Sequence, residues 1–127
     1  MRAIDTNVLV RLIARDDPKQ VASAESFIEP GAWVSVLALA EAVWVLDSVF
    51  DRSHAEQARA IEMLLSHERL VLQDPDTVAE ALELFRAKPA LGFSDCLMLQ
   101  LAKKAGHLPL GTFDKGLARA PGGQRLI

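Results

Sequence analysis

The 127-residue sequence predicts an α/β fold in which a mainly parallel sheet is flanked by helices. Short runs of strand length alternate with longer segments of helical periodicity, an order typical of parallel strands joined by crossover helices. Half of the residues are hydrophobic but only 6% are aromatic, which favours helices packed on a short sheet over an all-β sandwich. A chain of this length leaves little room for a second core, so we expect one domain over residues 1–127.

Five strands are predicted, each from a brief apolar or extended run bounded by turn residues. They are Arg2–Ile4, Trp33–Val34, Leu70–Leu72, Leu108–Phe113 and an edge strand at Gln124–Ile127.

Six helices are predicted from apolar residues at helical spacing and from residues typical of helix starts. The clearest starts are Asp17 followed by proline and the capping-box pattern that begins at Ser53. The predicted helices are Asn7–Ala14, Pro18 to about Ile28, one capped by Ser35 and reaching about Phe50, Ser53 to about Ser66, Pro75 to about Phe85, and one capped by Ser94 and ending near Gly106.

Composition and charge bear on the location of the protein and on its binding partners. The single cysteine, Cys96, cannot form an internal disulfide, which indicates a reduced cytoplasmic setting. We expect no targeting segment and no membrane association, because charged residues come early and the longest apolar stretch is interrupted by Glu41. The net charge of −3 argues against nucleic-acid binding, but two bound Mg²⁺ ions would bring it to +1.

Four acidic residues stand in apolar surroundings, unlike the other 13, which lie at caps, turns or polar helix faces. Glu41 and Asp95 are each the only charge within an apolar stretch, and Asp5 and Asp114 directly follow predicted strands. Burying an unpaired carboxylate costs several kcal/mol, so we expect these four to be buried, gathered at one place and neutralised by a shared cation. Taken singly, Asp5 and Asp95 have a structural alternative as helix caps and Asp114 as a turn former, whereas Glu41 has no cap to serve.

A set of carboxylates alone suits Mg²⁺ or Mn²⁺ better than zinc, which prefers histidine and cysteine. Two such ions would lower the pKa of a water molecule and stabilise charge at a phosphodiester. Asp5, Glu41, Asp95 and Asp114 are therefore the predicted catalytic and metal-binding residues. Asn7 and Thr112 lie two residues from Asp5 and Asp114, respectively. They either orient a carboxylate or a metal-bound water by hydrogen bonds, without binding the metal themselves, or make ordinary turn and cap hydrogen bonds.

These residues belong to four segments that resemble the motifs of PIN domains. The segments are Ile4-Asp5-Thr6-Asn7, Glu41 at the end of Val36–Glu41, Phe93-Ser94-Asp95 and Thr112-Phe113-Asp114. In this order and with this chain length, they are similar to the VapC-type toxins of bacterial toxin–antitoxin pairs. The acid sometimes found near the fourth motif is replaced here by Lys115 and Gly116.

The resemblance implies more than the residues alone. It implies a single PIN domain, a three-layer fold with a mainly parallel five-stranded sheet, and Mg²⁺- or Mn²⁺-dependent endoribonuclease activity. It also implies a homodimer and a cognate antitoxin that reaches into the acidic site. Which RNA is cut is not defined by the sequence, and the candidate phosphate contacts are Arg11, Arg15, Arg52, Lys88 and Arg119.

Two other readings remain open. The first is a different metal-dependent α/β phosphohydrolase. One of the haloacid-dehalogenase type needs a second aspartate two residues after Asp5, where this chain has Asn7. A receiver domain needs paired acids, which are absent here. An interaction or structural module of the same fold without activity is the third possibility. The presence of all four acids counts against such a decayed site.

Overall fold

A computed structural model describes all residues from 1 to 127, and the chain divides into two units, Met1–Pro75 and Asp76–Ile127. The first contains β1 (Arg2–Ala3), α1 (Thr6–Ala14), α2 (Pro18–Ile28), β2 (Ala32–Val34), α3 (Val36–Ser48), α4 (His54–Leu65) and β3 (Leu70–Leu72). Helix α5 (Pro75–Ala87) opens the second, followed by α6 (Phe93–Ala105), β4 (Leu110–Thr112), α7 (Lys115–Ala118) and β5 (Gly123–Arg125).

The sheet of the first unit has the strand order β1-β2-β3, and both pairings are parallel. Burial alternates along β2 and β3, so that Ala32 and Val34 face the core while Trp33 faces outward. Parallel pairing brings the carboxyl ends of the three strands to one edge, where crevices form in such sheets. Asp5 and Ser35 follow β1 and β2 at that edge, and the backbone of Gln73 extends β3 by donating to Val34 O at 2.8 Å.

Helix α1 begins directly after the candidate residue Asp5. Helix α1 packs against both α2 and α3. Its side chains Leu9, Val10 and Leu12 are buried, which matches the helical spacing of its apolar residues. The start of α1 is therefore held by its packing on two neighbouring helices as well as by its cap.

The second unit has its own pair of parallel strands, β4 and β5. Its core includes Phe85 of α5 and Phe93 of α6, whose rings meet edge to face with centroids 5.7 Å apart. A Cβ atom at Gly123 would collide with the carbonyl oxygen of Leu117, so the close approach of α7 and β5 requires glycine there.

The predicted α/β class is confirmed, and all five strands and six helices lie within a few residues of their predicted positions. The pairing differs from one five-stranded sheet: hydrogen bonds join three strands in the first unit and two in the second. Strands of two or three residues offer few ladder hydrogen bonds, and here each ladder closes within its own unit. The single domain over residues 1–127 stays a prediction.

Two local details were not predicted correctly. Helix α6 begins one residue before Ser94 and has Gly92 at its N-cap with no side-chain hydrogen bond, so the predicted cap at Ser94 is wrong. The buried ring of Phe93 occupies the first helical position, and packing rather than a side-chain cap determines where the helix begins. The short helix α7 was also missed, because four residues carry no periodic signal.

None of the seven helices combines the length and the apolar character needed to cross a membrane.

Candidate active site

Asp5 lies two residues after the end of β1 and is the N-cap of α1. Its backbone is extended, and its Oδ1 accepts a hydrogen bond from the backbone N–H of Val8 at 3.0 Å. The capping alternative for Asp5 is therefore observed. One carboxylate oxygen is used in the cap while the side chain remains exposed, so the second oxygen stays available to a ligand.

Glu41 lies on α3 and is joined to the start of α1 by one hydrogen bond. The hydroxyl of Thr6, the residue after Asp5, donates to Glu41 Oε2 at 2.7 Å across 35 positions of sequence. Thr6 belongs to the first motif, but it is not among the functional residues that the sequence predicts. Its position as the first residue of α1 was the available signal, because it places a hydroxyl beside the cap.

The expected burial of Glu41 is wrong, because its side chain is exposed. Helix α3 is apolar on nearly every side, but only one side is covered: Leu37 and Trp44 are 67% and 64% exposed. These two residues lie four positions before and three after Glu41, on the same helix face. The sequence shows how apolar a helix is, but not which apolar face remains uncovered.

Asp95 and Asp114 are both in the second unit. Asp114 caps α7 by accepting a hydrogen bond from Leu117 N at 2.7 Å, and it is exposed. Asp95 lies in the first turn of α6 and is half-buried. Burial raises the pKa of Asp95 above its ordinary value, and the neighbouring charge of Asp114 raises it further. The two carboxylates therefore lie close enough to repel each other.

Burial was expected for all four acids, and it is wrong for Asp5 and Asp114 as well as for Glu41. Asp5 and Asp114 each stand where the chain leaves a strand and begins a helix, and this position exposes the cap to solvent. Capping hydrogen bonds and solvent stabilise these carboxylates without complete burial.

Of the two candidate orienting residues, Thr112 makes a turn contact. Its Oγ1 accepts a hydrogen bond from the backbone N–H of Asp114 at 3.0 Å, so it fixes the backbone of Asp114 and does not touch the carboxylate. Asn7 is exposed and lines a groove beside Asp5.

Cys96 follows Asp95 and is fully buried. Burial raises the pKa of its thiol to about 11, and the charge of Asp95 contributes to the rise. The thiol is therefore protonated near neutral pH, which excludes a thiolate nucleophile at this position.

Neither unit contains a group of three or more His, Cys, Asp or Glu side chains arranged to hold a metal ion. Each unit contains two of the four predicted acids. None of the four forms an ion pair with lysine, arginine or histidine, although acids elsewhere do, such as Asp16 with Arg11 and Glu25 with Arg15. Carboxylate oxygens without a cation partner are the donors that Mg²⁺ and Mn²⁺ prefer, so the chemistry of the four acids suits a divalent metal.

A family model for the PIN domain matches residues 3–123. The matched range includes all four acids and nearly the whole chain. No curated protein and no solved structure matches the chain significantly.

The raised pKa of Asp95 generates a prediction about stability without metal. Near neutral pH the ionised carboxylate destabilises the folded chain, whereas below about pH 4 Asp95 is protonated in both folded and unfolded states. Asp95→Asn should therefore raise the free energy of unfolding near pH 7, and the gain should vanish as the pH falls below about 4. Urea denaturation in EDTA across this pH range measures the effect.

Glu83→Gln is the matched control, because Glu83 is an exposed acid on α5. It should change the free energy of unfolding by less than about 0.5 kcal/mol at any pH. A loss of stability in Asp95→Asn near pH 7 would contradict the assigned electrostatics of Asp95.

Proposed function

Because the chain belongs to the PIN domain family, whose members are generally metal-dependent nucleases, we propose that it is an endoribonuclease that hydrolyses RNA phosphodiester bonds. The observation that carries the proposal is the match of the family model over residues 3–123. The finer parts of the proposal are RNA as the substrate and Mg²⁺, or Mn²⁺ in its place, as the cofactor. Both follow from the resemblance of the four motifs to those of toxin nucleases.

Asp5, Glu41, Asp95 and Asp114 are the proposed ligands of the metal. Their support is chemical: each is a carboxylate without a cation partner, and hard oxygen donors suit these ions. When bound, the metal lowers the pKa of a water molecule and stabilises negative charge on the phosphodiester.

The chain's own contribution is to hold three of these carboxylates, those of Asp5, Glu41 and Asp114, in fixed orientations. The cap at Val8 N fixes Asp5 with one oxygen, and the Thr6 hydroxyl fixes Glu41 in the same way. The cap at Leu117 N fixes Asp114. Side chains already immobilised lose little entropy when a ligand binds, so these hydrogen bonds preorganise the acids.

The proposed biological role is that of the toxin in a toxin–antitoxin pair, acting in the cytoplasm as a homodimer that a cognate antitoxin inhibits. The resemblance to VapC-type toxins motivates this role. A protein partner also has apolar surface to cover, since Leu37 and Trp44 on α3 are largely exposed.

Loss of one proposed ligand should abolish cleavage. Asp95→Asn, Asp5→Asn or Glu41→Gln should lower the rate of Mg²⁺-dependent RNA cleavage by on the order of 10²- to 10³-fold or more, because a charged group that stabilises the reacting site is removed. Asparagine is also a good N-cap, so Asp5→Asn should keep α1 intact. Cleavage of a labelled RNA and circular dichroism measure activity and fold separately. Cleavage by Asp95→Asn at the native rate would contradict the assignment.

Metal binding should be visible without any substrate. Mg²⁺ or Mn²⁺ at about 100 times its Kd should stabilise the native chain by about 2.7 kcal/mol and raise its Tm. Asp5→Asn and Asp95→Asn should show a clearly smaller rise, whereas the control Glu83→Gln should respond like the native chain. Equal rises in all four proteins would favour an interaction module without a metal site.

The toxin role has its own test. Expression of the native chain alone should slow bacterial growth, and Asp95→Asn at equal soluble levels should not. Unimpaired growth with abundant native protein would argue against the toxin role, while the cleavage assay would still decide whether the chain is a nuclease.

A further inference from the structure

A groove runs between α1 and α2, and Asp5 forms part of its wall. Its volume is about 500 Å³, within the range of roughly 300–1,000 Å³ that is usual for ligand sites. The groove lies entirely within the first unit. The lining residues that bear on a ligand are Asp5, Asn7, Arg11, Lys19, Ser23 and Phe27.

Lys19 is the cation in this groove that no carboxylate neutralises. It is exposed and forms no ion pair. Arg11, in contrast, forms an ion pair with Asp16 at 3.0 Å and donates a hydrogen bond to Gln20 Oε1 at 2.6 Å. Lys19 therefore keeps its charge available for a ligand.

The position of Lys19 does not favour the helix that carries it. It is the second residue of α2, whose first turn contains no acidic residue. The positive end of the helix dipole disfavours a cation in the first turn by a few tenths of a kcal/mol to about 1 kcal/mol. Helix stability therefore does not account for a cation at this position.

A second depression continues the groove and adds a cation that has no carboxylate partner. It shares Ser23 and Phe27 with the first and is also lined by Arg2. The Arg2 guanidinium lies 3.8 Å from the centroid of the Phe27 ring and donates to Phe27 O at 2.9 Å, with no carboxylate partner. Lys19 and Arg2 therefore place two cations without carboxylate partners along these depressions, in a chain whose net charge is −3.

We propose that this groove binds the RNA strand next to the bond that is cut, with Lys19 on a flanking phosphate and Arg2 further along. The proposal rests on the proposed nuclease function, because Asp5 is a proposed metal ligand in the groove wall. Charge selects the occupant: unpaired cations beside neutral donors such as Ser23 and Asn7 complement a phosphodiester backbone. Lys19 was absent from the phosphate contacts expected from the sequence.

Binding without cleavage provides the first test. Fluorescence anisotropy in EDTA measures the Kd of a labelled single-stranded oligoribonucleotide of about eight nucleotides. Lys19→Glu should raise this Kd by about tenfold and reduce the slope of log Kd against log salt by about 0.7 to 1, the loss of one phosphate contact. Lys19→Gln should have an intermediate effect. A negative charge in the first turn suits the dipole of α2, so Lys19→Glu should not lower the Tm.

Arg59→Glu is the matched control, since Arg59 is an exposed cation on α4 and does not line the groove. It reverses the same charge in the same unit and should leave the Kd within about twofold of native. If Lys19→Glu and Arg59→Glu changed the Kd equally, the change would come from the net charge of the protein and not from a contact in the groove. That result would overturn the proposal. Failure of the native chain to bind the oligoribonucleotide would overturn it as well.

Cleavage of substrates of different lengths gives the second test. The ratio of kcat/KM for the oligoribonucleotide to that for a dinucleotide with one phosphodiester should fall about tenfold in Lys19→Glu and remain native in Arg59→Glu. An unchanged ratio would contradict a strand in the groove and favour a protein segment there instead. RNA binding that depends on Lys19, in a chain that never cleaves RNA, would support the groove as an RNA-binding site and reject the nuclease function. Failure of the groove proposal and failure of the proposed nuclease function are therefore distinguishable.

Discussion

The structure depends on parallel pairing between strands of only two or three residues. Parallel ladders align the carboxyl ends of β1, β2 and β3, so the segments that follow them begin at a common edge. Asp5 starts α1 there and Ser35 starts α3 there, each by a side-chain cap. Strands this short contribute few hydrogen bonds, and the packing of α1 against α2 and α3 adds to the stability of this edge.

Helix caps and the candidate site use the same side chains. The carboxylates of Asp5 and Asp114 satisfy backbone N–H groups that a helix start would otherwise leave unpaired. Each cap requires one oxygen and leaves the other directed elsewhere. Local folding and ligand binding are therefore not in competition at these two positions. Asp95 differs, because burial and the charge of Asp114 both disfavour its ionised form without any compensating partner. A bound cation would remove that penalty and would link the stability of the second unit to the proposed metal binding.

Charge is distributed unevenly over the first unit. Two of the basic side chains near α1 and α2 are neutralised, Arg11 by Asp16 and Arg15 by Glu25. Lys19 and Arg2 are not, and both line the depressions that begin at Asp5. A chain of net negative charge can therefore present cations without carboxylate partners beside a candidate site, so net charge alone is a poor guide to whether a protein binds nucleic acid.

What the sequence determined by itself was local. Caps act over two or three residues, so the starts of α1, α2 and α4 were readable, as were the acid motifs and the helical spacing of apolar residues. Tertiary structure decided the rest: the exposure of Glu41, the bond from Thr6 to Glu41, the start of α6 at Phe93, and the free charge of Lys19 beside Asp5. These depend on which helix covers which face and on contacts between distant positions. Periodicity reports that a face is apolar, but only packing determines whether that face is covered.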